Sequence, residues 1–120
     1  MAQQVTWYMN GRIVYAQIGD AYLSAQTLAE IDDQIIPFIR HSESGGVHVI
    51  LDASAVTTVQ SGIDVLLSYT REPELGWNVL IANDGSLKSL LALARFRTFP
   101  SLEEGLFFLE DEDESLLMSI

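Results

Sequence analysis

Val47-His48-Val49-Ile50-Leu51 constrains this chain more than any other segment, because an almost wholly apolar run leads without alternation into Asp52. A strand that shows no alternation has both faces covered, as in a parallel sheet sandwiched between helices. Trp77-Asn78-Val79-Leu80-Ile81-Ala82 repeats the pattern further along. Each run follows a polar, Gly-containing turn, Ser42 to Gly46 for the first and Pro73 to Gly76 for the second.

The surrounding elements follow from local chemistry. Val5 to Met9 and Arg12 to Ile18 flank Asn10-Gly11, a pair that accepts the positive φ of a hairpin turn. Ser24 or Thr27 caps a first helix, with Leu28, Ile31, Ile35 and Phe38/Ile39 on one face. It runs to about Arg40, with a kink or early end expected at Pro37, which lacks a donor N–H. Ala53 to Gln60 is a loop, and Ser61 with Asp64 opens a second helix through about Tyr69. Ser86 caps a third, striped with Leu87, Leu90, Leu91 and Ala94. Phe96 to Phe99 is a brief strand, and Ser101 with Glu104 forms a capping box for a last helix. The expected fold is α/β: a four- to five-stranded mixed, mainly parallel sheet, an N-terminal β-hairpin giving an antiparallel edge, and about four helices.

At 120 residues and 48% hydrophobic the chain is one domain with enough apolar surface to fold. Seven of its 17 acidic residues fall in 101–120, where no Lys or Arg occurs, leaving 10 acidic and 6 basic in 1–100. A domain over 1–110 with an acidic, solvated tail over 111–120 is the natural division, although Ser115 to Ile120 is apolar enough to fold back. A net charge of −11 disfavours nucleic acid and favours a positively charged partner surface. The chain has no cysteine, no visible export signal and no run of eighteen apolar residues, so a cytoplasmic location without a transmembrane segment is expected.

Leu51-Asp52-Ala53-Ser54-Ala55-Val56, a strand ending in Asp-x-Ser-x-Val, combines with the hairpin, the Trp77 to Ala82 strand and Phe99-Pro100-Ser101-Leu102-Glu103-Glu104-Gly105-Leu106. Together these resemble the STAS domain, the group that includes anti-sigma-factor antagonists similar to stage II sporulation protein AA. The resemblance implies a non-catalytic regulatory module that binds a protein partner through Asp52, Ser54, Thr57, Thr58, Gln60, Ser61 and Gly62. It also implies Ser61 as phosphoacceptor, although Gln60 stands where the antagonists carry aspartate. A divergent branch resembles CRAL-TRIO-type lipid carriers. The alternative is therefore a carrier or sensor of an apolar small molecule, with Ile63, Leu66, Leu67, Leu90 and Leu93 as the pocket between helices and sheet.

Catalysis finds little support in the residues. His41 and His48 match no metal spacing, and no cofactor or metal is expected. His48 reads as a packed, hydrogen-bonded strand residue and His41 as a ring at a helix C-terminus. Asp32 and Asp33 point about 100° apart and read as solvated. Ser54, His48 and Asp52 do not make a triad without a nucleophile elbow. Lys88, Arg95 and Arg97 are a weak candidate for an anionic group. The expected partner is a protein, with an apolar small molecule or a second copy of the chain as alternatives.

Overall fold

The computed structural model describes residues 3–42, 46–61, 67–82, 96–114 and 116. Five strands form one sheet in the order β1-β2-β4-β6-β7: β1 Gln3–Met9, β2 Ile13–Ile18, β4 Val47–Asp52, β6 Leu75–Ile81 and β7 Arg97–Phe99. Only β1 is antiparallel to its neighbour, and β2, β4, β6 and β7 run parallel. The mixed, mainly parallel sheet read from the unbroken apolar runs is therefore present. Between β1 and β2, Gly11 takes φ 76° and Arg12 N–H donates to Met9 O at 2.9 Å, a tight turn that glycine makes without strain.

Every residue of β4 is buried, because helices cover both faces of the sheet. Helix α1, Ala25–Arg40, lays Leu28, Ile31, Ile35 and Ile39 on Val14, Ala16, Val49, Leu51 and Leu80. Burying one such side chain removes about 1.5–3 kcal/mol of apolar exposure, so this stripe rather than helix propensity holds α1 in place. Ser24 is its cap, accepting from Thr27 N–H at 3.1 Å. The helix passes through Pro37 to Arg40 without ending early, and His41 closes it, its N–H donating to Pro37 O at 3.0 Å. Nδ1 of the same ring lies 2.8 Å from Pro37 O, the helix-end placement expected of His41.

Helix α2, Leu102–Glu112, covers the opposite face, where Leu109 joins Ile13, Ile50, Val79 and Ile81. Gly105 lets it approach closely: a Cβ there would stand 3.0 Å from Ile81 Cδ1 and 3.1 Å from Val79 Cγ1. Ser101 caps it, accepting from Glu104 N–H at 3.3 Å.

The expectation of about four helices is not borne out: two α-helices occur among the described residues. The third expected helix, from Ser86, falls on 83–95, outside the described residues. The second was to run from Ser61 to Tyr69; of its span, 62–66 also lie outside. Leu67 is extended, with ψ 104°, and Ser68–Arg71 is a 3-10 turn rather than the end of an α-helix. Its start is held by Asp32, whose carboxylate accepts from Ser68 N–H at 2.9 Å and Tyr69 N–H at 2.8 Å. Asp32 is thus buried instead of solvated, whereas Asp33 on the neighbouring face is exposed.

Two further departures concern the termini of elements. The loop Ala53 to Gln60 contains a short strand, β5 Thr58–Val59, paired in parallel with β3 Tyr22–Leu23, a segment the apolar pattern is too short to reveal. In the segment expected as a solvated tail, α2 continues to Glu112, and Asp113 and Leu116 pack on the domain. Leu116 is 1% exposed, folding back as its apolar character allows.

Candidate functional site

Asp52 ends β4 at the carboxyl edge of the parallel strands, the side of an α/β sheet where loops carry function. Its carboxylate does not face solvent. One oxygen accepts from Ser54 N–H at 3.0 Å, an Asx turn that starts the loop, and the other accepts from Tyr15 Oη on adjacent β2. Partial burial, then the bond to Asp52 and its charge, hold the Tyr15 phenol well above the ordinary tyrosine range.

The rest of the loop is tied down residue by residue. Ala53 N–H donates to Ile81 O at 2.8 Å and Val56 N–H to Ala53 O at 3.1 Å, with the Val56 side chain buried. Ala21 O accepts from both Thr57 N–H at 2.8 Å and Thr58 N–H at 3.0 Å, and Leu23 O accepts from Gln60 N–H at 2.8 Å. Gln60 Oε1 accepts from Ala25 N–H at 2.9 Å, satisfying one of the open donors in the first turn of α1. Glutamine has the reach for this bond that a shorter aspartate lacks, so Gln60 has a structural task at this position.

Among the expected partner-binding residues, Ser54, Thr57, Thr58 and Ser61 are exposed together, whereas Asp52 is buried and Gln60 half-buried, both directed into the scaffold. Tyr22, beside Thr58 in the β3–β5 pair, adds a half-exposed ring to that surface. Gly62 lies outside the described residues. The pocket candidates Ile63, Leu66, Leu90 and Leu93 lie outside them too. Leu67 is 3% exposed and packs in the α1-side core. An open depression of about 510 Å³ does occur, at another place, between Trp7, Asn10 and Gly11 of the hairpin and Pro37, Phe38 and His41 of α1.

His48 and Asp52 share a face of β4 but stand four residues apart, about 13 Å along the strand, so no triad with Ser54 assembles. The His48 ring, 4% exposed, is held instead by Trp77 N–H, which donates to Nδ1 at 2.8 Å, and by Asp113, whose Oδ2 lies 2.8 Å from Nε2. The backbone donor occupies the Nδ1 lone pair, which places the ring proton at Nε2, facing the carboxylate. The same Asp113 oxygen lies 3.0 Å from Arg12 Nη2. Arg97 stacks over Trp77 at 5.5 Å and Phe108 at 5.7 Å, while Lys88 and Arg95 lie outside the described residues. Arg12, Tyr15 and Asp113 have no local motif that points to these roles; the partners of Asp113 lie 101 and 65 residues away in sequence.

Among the described residues no group of three or more His, Asp or Glu is arranged to hold a metal, and no helix is long and apolar enough to cross a membrane. In comparisons with known proteins, no family model matches the chain, and neither a curated protein nor a solved structure matches it.

Proposed function

We propose that this chain is a non-catalytic interaction module of STAS-like character that presents the loop 53–61 to a protein partner, with phosphorylation of Ser61 as the switch. The observation that carries this reading is the contrast within the loop: its backbone and inward side chains are bonded to β3, β6 and α1, while Ser54, Thr57, Thr58 and Ser61 are left exposed. A loop held in one shape loses little conformational entropy on binding, which favours recognition by rigid docking. Its outward hydroxyls are neutral, so a phosphate at Ser61 adds about −1.5 to −2 to a surface that carries no charge of its own between 53 and 61 and alters complementarity sharply. The overall charge of −11 supports a partner with a basic surface.

The test is a photo-crosslinking residue placed at Thr58, with the same residue at exposed Asp33 as control, in the cells that make the protein. A partner captured from Thr58 and not from Asp33, and lost or exchanged in Ser61→Asp, supports the reading. Equal capture from both positions, or capture indifferent to Ser61→Asp and Ser61→Ala, overturns the loop or the switch respectively.

A further inference from the structure

We infer that β1 is the seam of a symmetric homodimer, in which two copies pair their edge strands antiparallel and join two five-stranded sheets into one. The two edges of the sheet differ in how they are guarded. β7 is three residues long, begins with Arg97 and runs into Pro100, the devices that prevent edge-to-edge pairing. β1 is seven residues long and contains neither proline nor a charge, and no charged residue occurs in the chain before Arg12. It keeps a regular register against β2 from Gln3 to Trp7, and its single irregularity comes between Trp7 and Met9, next to the hairpin turn. A long, neutral, regular edge presents a row of backbone donors and acceptors that a second strand satisfies.

Three observations select a second copy as that strand. First, the chain carries −11, so two copies repel unless they meet where neither has charge, and β1 is such a place. Second, antiparallel pairing about a two-fold axis near Thr6, the midpoint of β1, is self-complementary. It sets Thr6 against Thr6 and brings Val5 of each copy beside Trp7 of the other, both of these being favourable cross-strand pairs. Third, the edge has an apolar border on its α1 side: Val5, Trp7, Ile36 and Phe38 are only partly buried, and Trp7 meets Phe38 edge-to-face at 5.2 Å. On the other side Tyr8 is 49% exposed. The residues of this seam are distinct from those of the loop 53–61.

Sedimentation velocity of the full chain over a dilution series tests the proposal. The wild type should run as a dimer at about 100 µM, where any Kd below that value populates it, and salt should tighten it by screening the net repulsion. Thr6→Lys places like charges across the axis and should weaken the dimer about tenfold or more, as Thr6→Glu should, while an equimolar mixture of the two recovers a one-to-one heterodimer by native mass spectrometry. Thr6 is exposed, so both variants should keep the fold, and their unfolding midpoints should match the wild type only at dilutions where the wild type is itself monomeric. A wild type that stays monomeric, or a dimer indifferent to Thr6→Lys, overturns the proposal; the latter result points to another seam, such as the apolar end of the chain. If both variants misfold, amide exchange of wild-type β1 decides: protection that rises with protein concentration is expected, and concentration-independent exchange refutes the seam.

Discussion

Nε2 of His48, in the buried central strand, lies 2.8 Å from Oδ2 of Asp113, the residue that closes α2. This contact, shared with Arg12, fastens the last helix to the amino end of the sheet, beside the hairpin turn. Its geometry depends on Gly76, where a Cβ would stand 2.5 Å from His48 Nδ1 and 2.7 Å from Cε1.

Gly76→Ala should therefore destabilise the protein by about 1–3 kcal/mol, the usual cost of overpacking, since the imidazole is bonded at both nitrogens and has nowhere to turn. Urea unfolding followed by far-UV circular dichroism measures it; wild-type stability would show that the ring yields freely.

Asp113→Ala removes the acceptor of both His48 and Arg12 and should cost about 1–3 kcal/mol. Combined with Gly76→Ala, the loss should fall short of the sum, because both substitutions act through the same ring. Strict additivity in the double-mutant cycle would mean that the two sites are independent.

Asp32 and Asp33 are adjacent in sequence and opposite in consequence. Asp32→Ala strands the Ser68 and Tyr69 N–H groups and should cost about 2 kcal/mol, while Asp33→Ala on the exposed face should stay within about 0.5 kcal/mol of wild type. Thermal unfolding of the pair checks this, and equal effects would contradict the cap.

Tyr15 and Tyr69 both ionise well above the ordinary tyrosine value of 10.0 in the folded protein. Burial is the main cause for each, with the bond to Asp52 adding for Tyr15. Above about pH 10 the unfolded chain gives up phenolic protons that the folded chain retains, so stability should hold at lower pH and fall as pH rises further. Fully buried Tyr69 contributes a slope of up to about 1.4 kcal/mol per pH unit, and the partly solvated Tyr15 less. Denaturant titrations between about pH 9 and 11 should show that slope, and Tyr69→Phe should flatten most of it.

The hairpin, the two apolar strands, the stripe of α1 and the Ser101 cap are legible in the sequence, because each is a matter of neighbours a few residues apart, whereas the choice of Ser24 over Thr27 as the first cap comes from the folded chain. A run such as Val47 to Leu51 has one low-energy setting, a strand covered on both faces, and Asn10-Gly11 favours a tight turn wherever it falls. The loop from Ala53 to Gln60 is also visible as a loop, although its short strand Thr58–Val59 is not.

Long-range pairing lay beyond local pattern. An aspartate in a helix reads as solvated until a backbone turn 36 residues away supplies donors for it, as happens to Asp32. An acidic run reads as a tail until Arg12 and His48 are brought within reach of Asp113. Gln60 reads as a departure from a motif until α1 starts beside it with an open N–H. Periodicity and capping are set by the energy of a few adjacent residues, whereas the partner of a buried polar group is chosen by the topology of the whole sheet, which only the folded chain assembles.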